Sequence, residues 1–544
     1  MSFRWYPIVF AVAALVLLPL SVLALSWAEI DGEIWTHLWE TQLPRLLGNS
    51  LLLVLGVGLG VTLLGTSLAW LTALCEFPGR RWLDWALMLP FAMPAYVLAF
   101  VFVGLLDFSG PLQTLLRECF GSGLRLPRVR SSGGVILVLV LVFYPYVYLL
   151  ARGAFLAQGR GLTEAARVLG LSPWKAFWRV ALPMARPAIG AGLALAVMET
   201  LADFGAVAVF NFDTFTTAIY KTWYGFYSLS SAAQLASLLL LGVFLVLLGE
   251  RRSRGRAAGA SERPRSAALY RLRGWKAGVA SGWCGLVFLC AFVVPLAQLL
   301  LWCWQRGRFD LDARYLDLLA HSLGLSGAAA ALTVAVGLLL AFARRQAPSP
   351  LLRGALGLAH LGYALPGSVL AVAIMLAFSW LDNHWVVPLS SALGGAGKPL
   401  LLGSLGALLL AYLIRFLAVA QGPLESTLAR IRPSLDEASR SLGVSGLGLF
   451  RRVYLPLLSP GLLSAALLVF VDALKEMPAT LLMRPFGWDT LAVRIFEMTS
   501  EGEWARAALP ALSLVLAGLL PVALLIRRSA ASGVGRNSGV QHST

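Results

Sequence analysis

Two pairs of acidic side chains lie inside long apolar stretches of the sequence, where charge is unusual. Glu199 and Asp203 form the first pair, and Asp472 and Glu476 stand 273 positions later as the second. A charged side chain near the centre of a bilayer costs about 2.5 to 3.5 kcal/mol on insertion scales, so such residues are expected to be functional or paired. Spaced four residues apart, each pair would lie on one face of a continuous helix. Carboxylate oxygens are hard ligands, so the two pairs predict a passage for a hard, highly charged cation.

A structural role for these carboxylates is the alternative. Lys475 stands beside the second pair and could neutralise Asp472 or Glu476. The helices could also break near Gly205 and Pro478, which would admit water to the carboxylates. The sequence leaves the passage and the structural role open, and it assigns no metal ligand.

A polar motif occurs twice between the apolar stretches. Every residue of the second copy stands 273 positions after its counterpart. The first copy comprises Glu164, Ala165, Ala166, Gly170, Leu182 and Pro183, and the second comprises Glu437, Ala438, Ser439, Gly443, Leu455 and Pro456. A motif that recurs with the same spacing in both halves of a membrane protein indicates a duplicated function on one side of the membrane.

Local signals predict two short helices joined by a turn in each motif. Gly170 ends the first helix of the first copy, and Pro183 stops the second helix. In the second copy, Ser434 opens a capping box and Gly443 ends the first helix. Such a compact projection suits docking to a partner. An amphipathic segment at the membrane surface, using the aromatic residues of 174–178, is the alternative, but repetition in register favours docking.

The composition indicates a polytopic membrane protein. The chain has 544 residues, of which 58% are hydrophobic and 13% charged, and a mean hydropathy of +0.77. Several apolar runs are long enough to span the roughly 30 Å hydrocarbon core. Twelve such runs begin near Ile8, Leu47, Leu87, Val135, Ala188, Ala232, Ala280, Leu323, Leu358, Leu400, Gly461 and Ala507. The first run is about twice as long as a signal-peptide core, so we interpret it as a retained helix.

Basic residues account for the net charge of +17, and their positions orient the chain. They concentrate in alternate loops, at residues 80–81, 152–186, 251–276, 344–353, 430–452 and 527–528. By the positive-inside rule, these loops and both termini are expected to be cytoplasmic. Arg117, Arg125, Arg128 and Arg130 are exceptions that would lie outside. Nucleic-acid binding is disfavoured, because no basic face accompanies a soluble reading domain.

Metal and nucleotide sites are not indicated by the sequence. The five cysteines have no metal-ligand spacing and suit packing: Cys75, Cys119, Cys284, Cys290 and Cys303. The glycine-rich run that ends in Lys398 lacks the first glycine and the hydroxyl residue of a phosphate-binding loop. We therefore predict that this chain binds no cofactor and that ATP is used by a separate subunit.

The repeat extends beyond the motifs and divides the chain into halves. Residues 49–51 match 321–323, and residues 93–95 match 365–367, both at a separation of 272 positions. We predict a first six-span repeat over 1–250, a basic cytoplasmic linker over 251–276 and a second six-span repeat over 277–544, with the motif loops at 160–187 and 433–460. An even number of spans separates the two loops. The halves are therefore expected to be parallel repeats with a pathway at their interface.

The double motif resembles the EAA loop of the inner-membrane permeases of binding-protein-dependent ABC importers. The resemblance covers both halves and implies an all-α membrane protein with the type I ABC importer permease fold. It implies that each loop docks into a cytoplasmic ATPase subunit, with Glu164, Gly170, Glu437 and Gly443 as coupling residues. Two copies of the ATPase, using ATP and Mg, and a periplasmic binding protein would complete the importer in a bacterial inner membrane. Ser439 departs from the alanine that is usual in the family.

The sequence around the carboxylates resembles that of ferric-iron permeases. The stretches concerned are Met198 to Gly205, Phe215 to Tyr220, Lys475 to Leu482, Arg484 to Phe486 and Asp489 to Ala492. The resemblance implies import of ferric iron from the periplasm, with the binding protein seated over residues 220–227 and 486–504. Thiamine permeases also occur in a fused twelve-span form, and polyamine and phosphonate importers share the loop, so these cargoes stay open.

Two other classes of protein are alternatives. A secondary transporter with parallel repeats would use an ion gradient, although the coupling loops argue against it. A polytopic membrane enzyme would need a nucleophile, a histidine base or a metal cluster among its spans, and the sequence shows none there.

Overall fold

The computed structural model describes residues 5–121, 127–158, 170, 172–254, 270–306, 311–346, 349–394, 397–442, 444 and 446–534. Long helices dominate it, and those that follow the apolar runs are labelled here in chain order. They are α1 (Tyr6–Leu25), α2 (Leu43–Leu74), α3 (Ala95–Leu106), α4 (Ser132–Ala157), α5 (Leu182–Ala202), α6 (Leu229–Arg254), α7 (Trp275–Phe288, continued by Leu289–Val293 and Val294–Arg306), α8 (Ala313–Gln346), α9 (Gly367–Leu381), α10 (Leu405–Leu428), α11 (Leu455–Lys475) and α12 (Trp504–Val534).

The prediction of an all-α membrane protein with about twelve spans is confirmed. Eleven segments of the described chain are long and apolar enough to cross a membrane, and a shorter apolar segment, Trp504–Leu520, completes the set. The two halves repeat this order of helices, which is the type I permease fold.

Two span boundaries differ from those predicted, and they differ in the same way. The third and ninth spans begin at Ala95 and Gly367, about eight residues after the starts expected from hydrophobicity. Pro94 and Pro366 are the cause, because each holds an extended backbone with ψ near 145°. A proline in this conformation ends the preceding helical turn and starts a new helix. Each apolar run is therefore divided in two.

Shorter elements connect the long helices. The short α-helices are Gly32–His37, Arg80–Ala86, Pro111–Phe120, Pro173–Ala176, Gly205–Val209, Phe215–Phe226, Pro350–Ala359, Val387–Ala392, Pro433–Ser441, Gly446–Leu449, Pro478–Met483 and Leu491–Ser500. Turns of 3₁₀-helix lie at Ser26–Ala28, Leu89–Ala92 and His360–Ala364, and turns of π-helix at Leu38–Gln42, Phe177–Ala181, Leu289–Val293, Asp382–Val386 and Phe450–Tyr454. Two short strands, Cys75–Glu76 and Tyr270–Arg271, pair in parallel.

The two halves of the sequence are intertwined in space. One hydrophobic core combines α2, α3 and α4 of the first half with α7 and α12 of the second. The other core combines α8, α9, α10 and α11 of the second half with α1 and α6 of the first. The first and last long helices of each half thus pack in the hydrophobic core of the other half. The halves meet over a large apolar surface, and any cavity between them has walls from both.

The arginines that depart from the positive-inside pattern have aromatic partners. Arg117 lies 4.4 Å from the centre of the Phe108 ring, and its Nη2 donates a 2.8 Å hydrogen bond to the Phe108 carbonyl oxygen. Arg130 lies 5.8 Å from the centre of the Trp504 ring. Arg125 falls outside the described residues. A cation–π contact therefore contributes to the position of each of these two arginines.

Candidate translocation site and coupling loops

The carboxylate pairs lie where two long helices break. Helix α5 ends at Ala202 and α11 ends at Lys475, so Asp203 and Glu476 are the first residues beyond the helices. Both have an extended backbone, with ψ of 129° and 111°. The expectation that each pair shares one face of a continuous helix is therefore wrong, because only Glu199 and Asp472 are helical. The predicted break near Gly205 and Pro478 is confirmed.

Each carboxylate in a break caps the short helix that follows. Asp203 Oδ2 accepts a hydrogen bond from the Val207 N–H at 3.0 Å, and Glu476 Oε1 accepts one from the Ala479 N–H at 3.2 Å. These N–H groups have no partner inside their own helices, and a carboxylate is a strong acceptor for them. The two halves therefore use the same local device 273 positions apart.

Two further breaks meet the first two. The chain is extended at Pro94 before α3 and at Pro366 before α9. Pro94, and Tyr363 just before the second of these breaks, line a cavity of about 190 Å³ together with the ends of α5 and α11. The cavity is lined by Phe91, Met93, Pro94, Ala95, Tyr96, Val142, Phe143, Tyr146, Glu199, Ala202, Asp203, Phe204, Gly205, Tyr363, Arg415, Phe416, Asp472, Lys475, Glu476, Met477 and Pro478. Irregular backbone within a membrane-spanning bundle is tolerated where it lines a polar cavity. All five residues predicted for the path line this one.

The cavity carries more negative than positive charge. Four carboxylates face two basic side chains, Arg415 and Lys475, so the ionised set has a formal charge of −2. Glu476 Oε2 lies 3.2 Å from Arg415 Nε, and these two side chains are 5% and 15% exposed. Glu476 is thus neutralised by an arginine from α10, whereas Lys475 donates a 2.8 Å hydrogen bond to the carbonyl oxygen of Phe91. The electrostatic partners of Lys475 are Asp472 and Glu199.

Arg415 is a charged residue of the cavity that the sequence analysis did not single out. A signal existed, because Arg415 is the one charged residue in the apolar stretch from Leu405 to Gln421. Its partner lies 61 positions away in the sequence, and only the folded chain brings the two together.

A glycine makes room for the buried ion pair. A β-carbon built on Gly367 would lie 2.2 Å from Glu476 Oε1 and 2.9 Å from Arg415 Nη1. Both distances are far below an ordinary contact. The start of α9 can approach the pair only because residue 367 has no side chain.

An aromatic layer begins at Phe204, the residue after Asp203. Phe204, Tyr220 and Phe496 form this layer, in which Phe204 lies 5.3 Å from each of the other two, centre to centre. These rings come from the break after α5 and from the helices Phe215–Phe226 and Leu491–Ser500. Arg484, which follows the helix Pro478–Met483, forms an ion pair with Glu497 at 2.8 Å. Phe204 lines the cavity, so the aromatic layer lies directly beside it.

The described parts of the coupling motifs lie on exposed helices and turns. Gly170 has φ of +74°, the left-handed conformation expected of a glycine that ends a helix. Glu437 and Ala438 are exposed on the helix Pro433–Ser441. This helix begins before Ser434, which therefore lies within its first turn. Glu164, Ala165 and Gly443 fall outside the described residues.

Each motif loop is joined to a cavity helix without a break. The expectation that Pro183 stops a helix is wrong: the chain passes from Pro173–Ala176 through the π-helical turn Phe177–Ala181 directly into α5. Pro183 directly follows this π-helical turn as the second residue of α5, and the wider turn accommodates a proline that cannot donate an N–H hydrogen bond. Pro456 has the same place after the turn Phe450–Tyr454, at the start of α11. A continuous helical rod therefore runs from each motif to its pair of carboxylates.

Among the residues that the structure describes, no group of three or more His, Cys, Asp or Glu side chains is arranged to hold a metal ion.

A bundle of repeated helices around a charged cavity, with a rod leading from each surface loop to that cavity, defines a membrane transport protein. The chain belongs to the family of inner membrane components of binding-protein-dependent transport systems, whose model matches residues 62–252 and again residues 333–531. The double match confirms the fused, two-repeat form. The protein is a multi-pass permease subunit of an ABC importer.

Named relatives fall into two groups. The Fe(3+)-transport system permease protein FbpB 2 of Haemophilus influenzae is 29% identical, and the alignment covers 90% of both chains. A putative ferric transport system permease protein, FbpB 1, of the same organism is 26% identical over 85% of this chain and 74% of its own. The sulfate transport system permease protein CysT of Escherichia coli is 29% identical over 203 residues, which are 36% of this chain and 69% of its own.

Proposed function

We propose that this permease moves ferric iron across the inner membrane into the cytoplasm. The observation that carries the proposal is the cavity between the halves, in which four carboxylates outnumber two basic side chains. Hard oxygen ligands and an excess of negative charge suit a small, highly charged cation. The two relatives that align with most of this chain are named for ferric transport, which supports the same cargo.

The charge of the cavity also separates the alternative cargoes. Sulfate, molybdate and phosphonate are anions, and a site with a formal charge of −2 opposes their entry. Thiamine and polyamines are cations and remain compatible with the charge, but they need room. A cavity of about 190 Å³ lies below the roughly 300 to 1,000 Å³ of ordinary small-molecule sites, so it favours an ion over these larger cations.

The importer is proposed to contain two copies of a cytoplasmic ATPase subunit, one beneath each motif loop. Glu164, Gly170, Glu437 and Gly443 would contact the ATPase, and Ala165, Pro183, Ala438 and Pro456 would shape the loop. The motif loops and both termini then face the cytoplasm. Closure of the ATPase pair on ATP and Mg would push both loops together, and the rods through α5 and α11 would carry that movement to Asp203 and Glu476.

The opposite end of the bundle is proposed to receive the periplasmic binding protein. We expect residues 220–227 and 486–504 to lie at this end, and they include the exposed side chains of Tyr227 and Phe486. Exposed aromatic side chains next to the ion pairs of Arg484 suit a protein interface. Cargo released at this surface would enter beside the layer of Phe204, Tyr220 and Phe496.

Uptake of radiolabelled ferric iron tests the proposal. Iron-starved cells that lack the gene are complemented with wild type, with the double variant Asp203→Asn, Glu476→Gln, or with Glu425→Gln as a control. Glu425 is on α10 but outside the cavity, in an ion pair with Arg344. We expect wild type and the control to restore uptake and the double variant to fail at equal membrane abundance. Full uptake by the double variant would exclude the carboxylate path.

Uptake assays in the same cells identify the cargo. If wild type restores no ferric uptake, uptake of labelled thiamine and spermidine is measured in parallel. Dependence of uptake on ATP, with the membrane potential held constant, separates the importer from a secondary transporter.

A further inference from the structure

The two halves of the cavity differ in charge although their folds repeat. Helices α4 and α10 start at equivalent N-cap serines, Ser131 and Ser404, which stand 273 positions apart and each accept a backbone N–H three residues on. In this register the counterpart of Arg415 is Val142, and both residues line the cavity. By the same register, the counterpart of Lys475 is Ala202. The first half has no basic residue at either position.

The excess negative charge therefore comes from one half. The first half contributes Glu199 and Asp203 and no basic side chain to the cavity. The second half contributes Asp472 and Glu476 together with Arg415 and Lys475, so its own formal charge is zero. Among the described residues Asp203 has no ion pair, whereas Glu476 is paired. The first half therefore supplies carboxylates without a basic side chain of its own, and both basic side chains of the cavity come from the second half.

Arg415 is held in a defined position. Its Nε lies 3.2 Å from Glu476 Oε2, and its Nη1 donates a 3.2 Å hydrogen bond to the carbonyl oxygen of Leu365 in the break before α9. The absent side chain of Gly367 leaves the space that the pair occupies. One guanidinium therefore bridges α10, the break after α11 and the break before α9.

We propose that Arg415 is the resident counter-cation of the path and sets its selectivity for highly charged cargo. When the cavity is empty, the guanidinium occupies Glu476, so Glu476 is not available to a monovalent cation. A trivalent ion attracts Glu476 more strongly than a single guanidinium does, because the Coulomb energy grows with the product of the charges. Such an ion can displace Arg415 from Glu476, whereas a monovalent cation cannot. This inference rests on the proposed cation path, and it assigns Arg415 as a positioning residue within that path.

Sodium leakage through the reconstituted importer tests the proposal. The permease and its ATPase are placed in proteoliposomes without binding protein, and entry of radiolabelled Na⁺ is measured. Arg415→Gln changes the formal charge of the cavity from −2 to −3, and we expect about a tenfold or larger increase in Na⁺ entry. The double variant Arg415→Gln, Glu476→Gln returns the charge to −2 and is expected to be as tight as wild type. Arg415→Lys keeps the charge and is also expected to be tight.

Arg152→Gln is the matched control. Arg152 forms a two-point ion pair with Asp84, with Nε to Oδ1 at 2.5 Å and Nη2 to Oδ2 at 2.6 Å, and neither residue lines the cavity. If Arg415 has only a structural role, the two arginine variants will behave alike. Sodium entry through Arg415→Gln that equals entry through wild type would overturn the proposal, as would equal leakage through Arg152→Gln.

The wild-type importer gives a second result that needs no variant. Because the guanidinium of Arg415 is paired with Glu476, Glu476 is not available to a monovalent cation. We therefore expect Na⁺ entry through the wild-type importer to stay at the level of protein-free liposomes. Na⁺ entry well above that level would overturn the proposal even if Arg415→Gln did not accumulate. Ferric uptake by wild type is measured separately, so failure of the cargo proposal is distinguished from failure of the role of Arg415.

Discussion

Gly367→Ala should disable the buried ion pair without removing any charged group. The added β-carbon would lie 2.2 Å from Glu476 Oε1 and 2.9 Å from Arg415 Nη1. An ordinary contact needs about 1 Å more, so Glu476, Arg415 or the start of α9 must move. Overpacking of this kind costs about 1 to 3 kcal/mol. If the movement separates the ion pair, the cost approaches the roughly 3 to 5 kcal/mol of breaking a buried pair.

Two measurements check this prediction. The apparent melting temperature of the purified permease in detergent should fall, and ferric uptake at equal membrane abundance should fall with it. Gly422→Ala is the control, because Gly422 lies on α10, the helix of Arg415, and its β-carbon would have no neighbour within 4 Å. In a helix this control change should be neutral or stabilising by about 0.5 to 1 kcal/mol. A Gly367→Ala protein with wild-type melting and wild-type uptake would refute the argument that this glycine makes room for the pair.

Three further predictions concern the loops and the scaffold. Gly170→Ala should destabilise its turn by about 1 to 2 kcal/mol through backbone strain alone, because φ is +74° and no atom lies within 4 Å of the new β-carbon. Hydrogen exchange around residue 170 measures this effect, and an unchanged exchange rate would contradict the prediction. Two glycines inserted after Ala181 should interrupt the helical rod into α5, so that the complex still hydrolyses ATP but imports fewer iron ions per ATP. An unchanged ratio of imported iron to hydrolysed ATP would show that the rod does not transmit movement. Arg152→Ala should lower the free energy of unfolding by about 1 to 3 kcal/mol, because the half-buried Asp84 loses its ion-pair partner. An unchanged melting temperature of the purified protein would show that this ion pair does not stabilise the fold.

The sequence by itself determined the class of protein. Hydrophobic runs fix the number of spans because the bilayer thickness sets the length that an apolar helix needs. The constant spacing of 273 positions revealed that the two halves are repeats, because duplicated segments keep the same register where their structure is the same. The motif and the intramembrane carboxylates were visible for the same reason, because polar residues stand out in an apolar sequence.

The placement of helix ends depended on interactions that hydrophobicity does not report. The sequence predicted that Pro183 would stop a helix, but the π-helical turn before it lets the rod continue into α5. In contrast, Pro94 and Pro366 divide apolar runs that appeared continuous. A proline is compatible with the first turn of a helix and with its end, and the backbone on each side decides which it becomes.

The tertiary structure alone decided which charges meet. Arg415 and Glu476 are far apart in the sequence, and only the packing of α10 against the breaks before α9 and after α11 brings them within 3.2 Å. The exchange of α1, α6, α7 and α12 between the halves was equally hidden, because an apolar helix face does not specify its partner. Local signals thus identified the acidic pairs, whereas long-range packing determined that Arg415 and Lys475 of the second half face the carboxylates of both halves in one cavity.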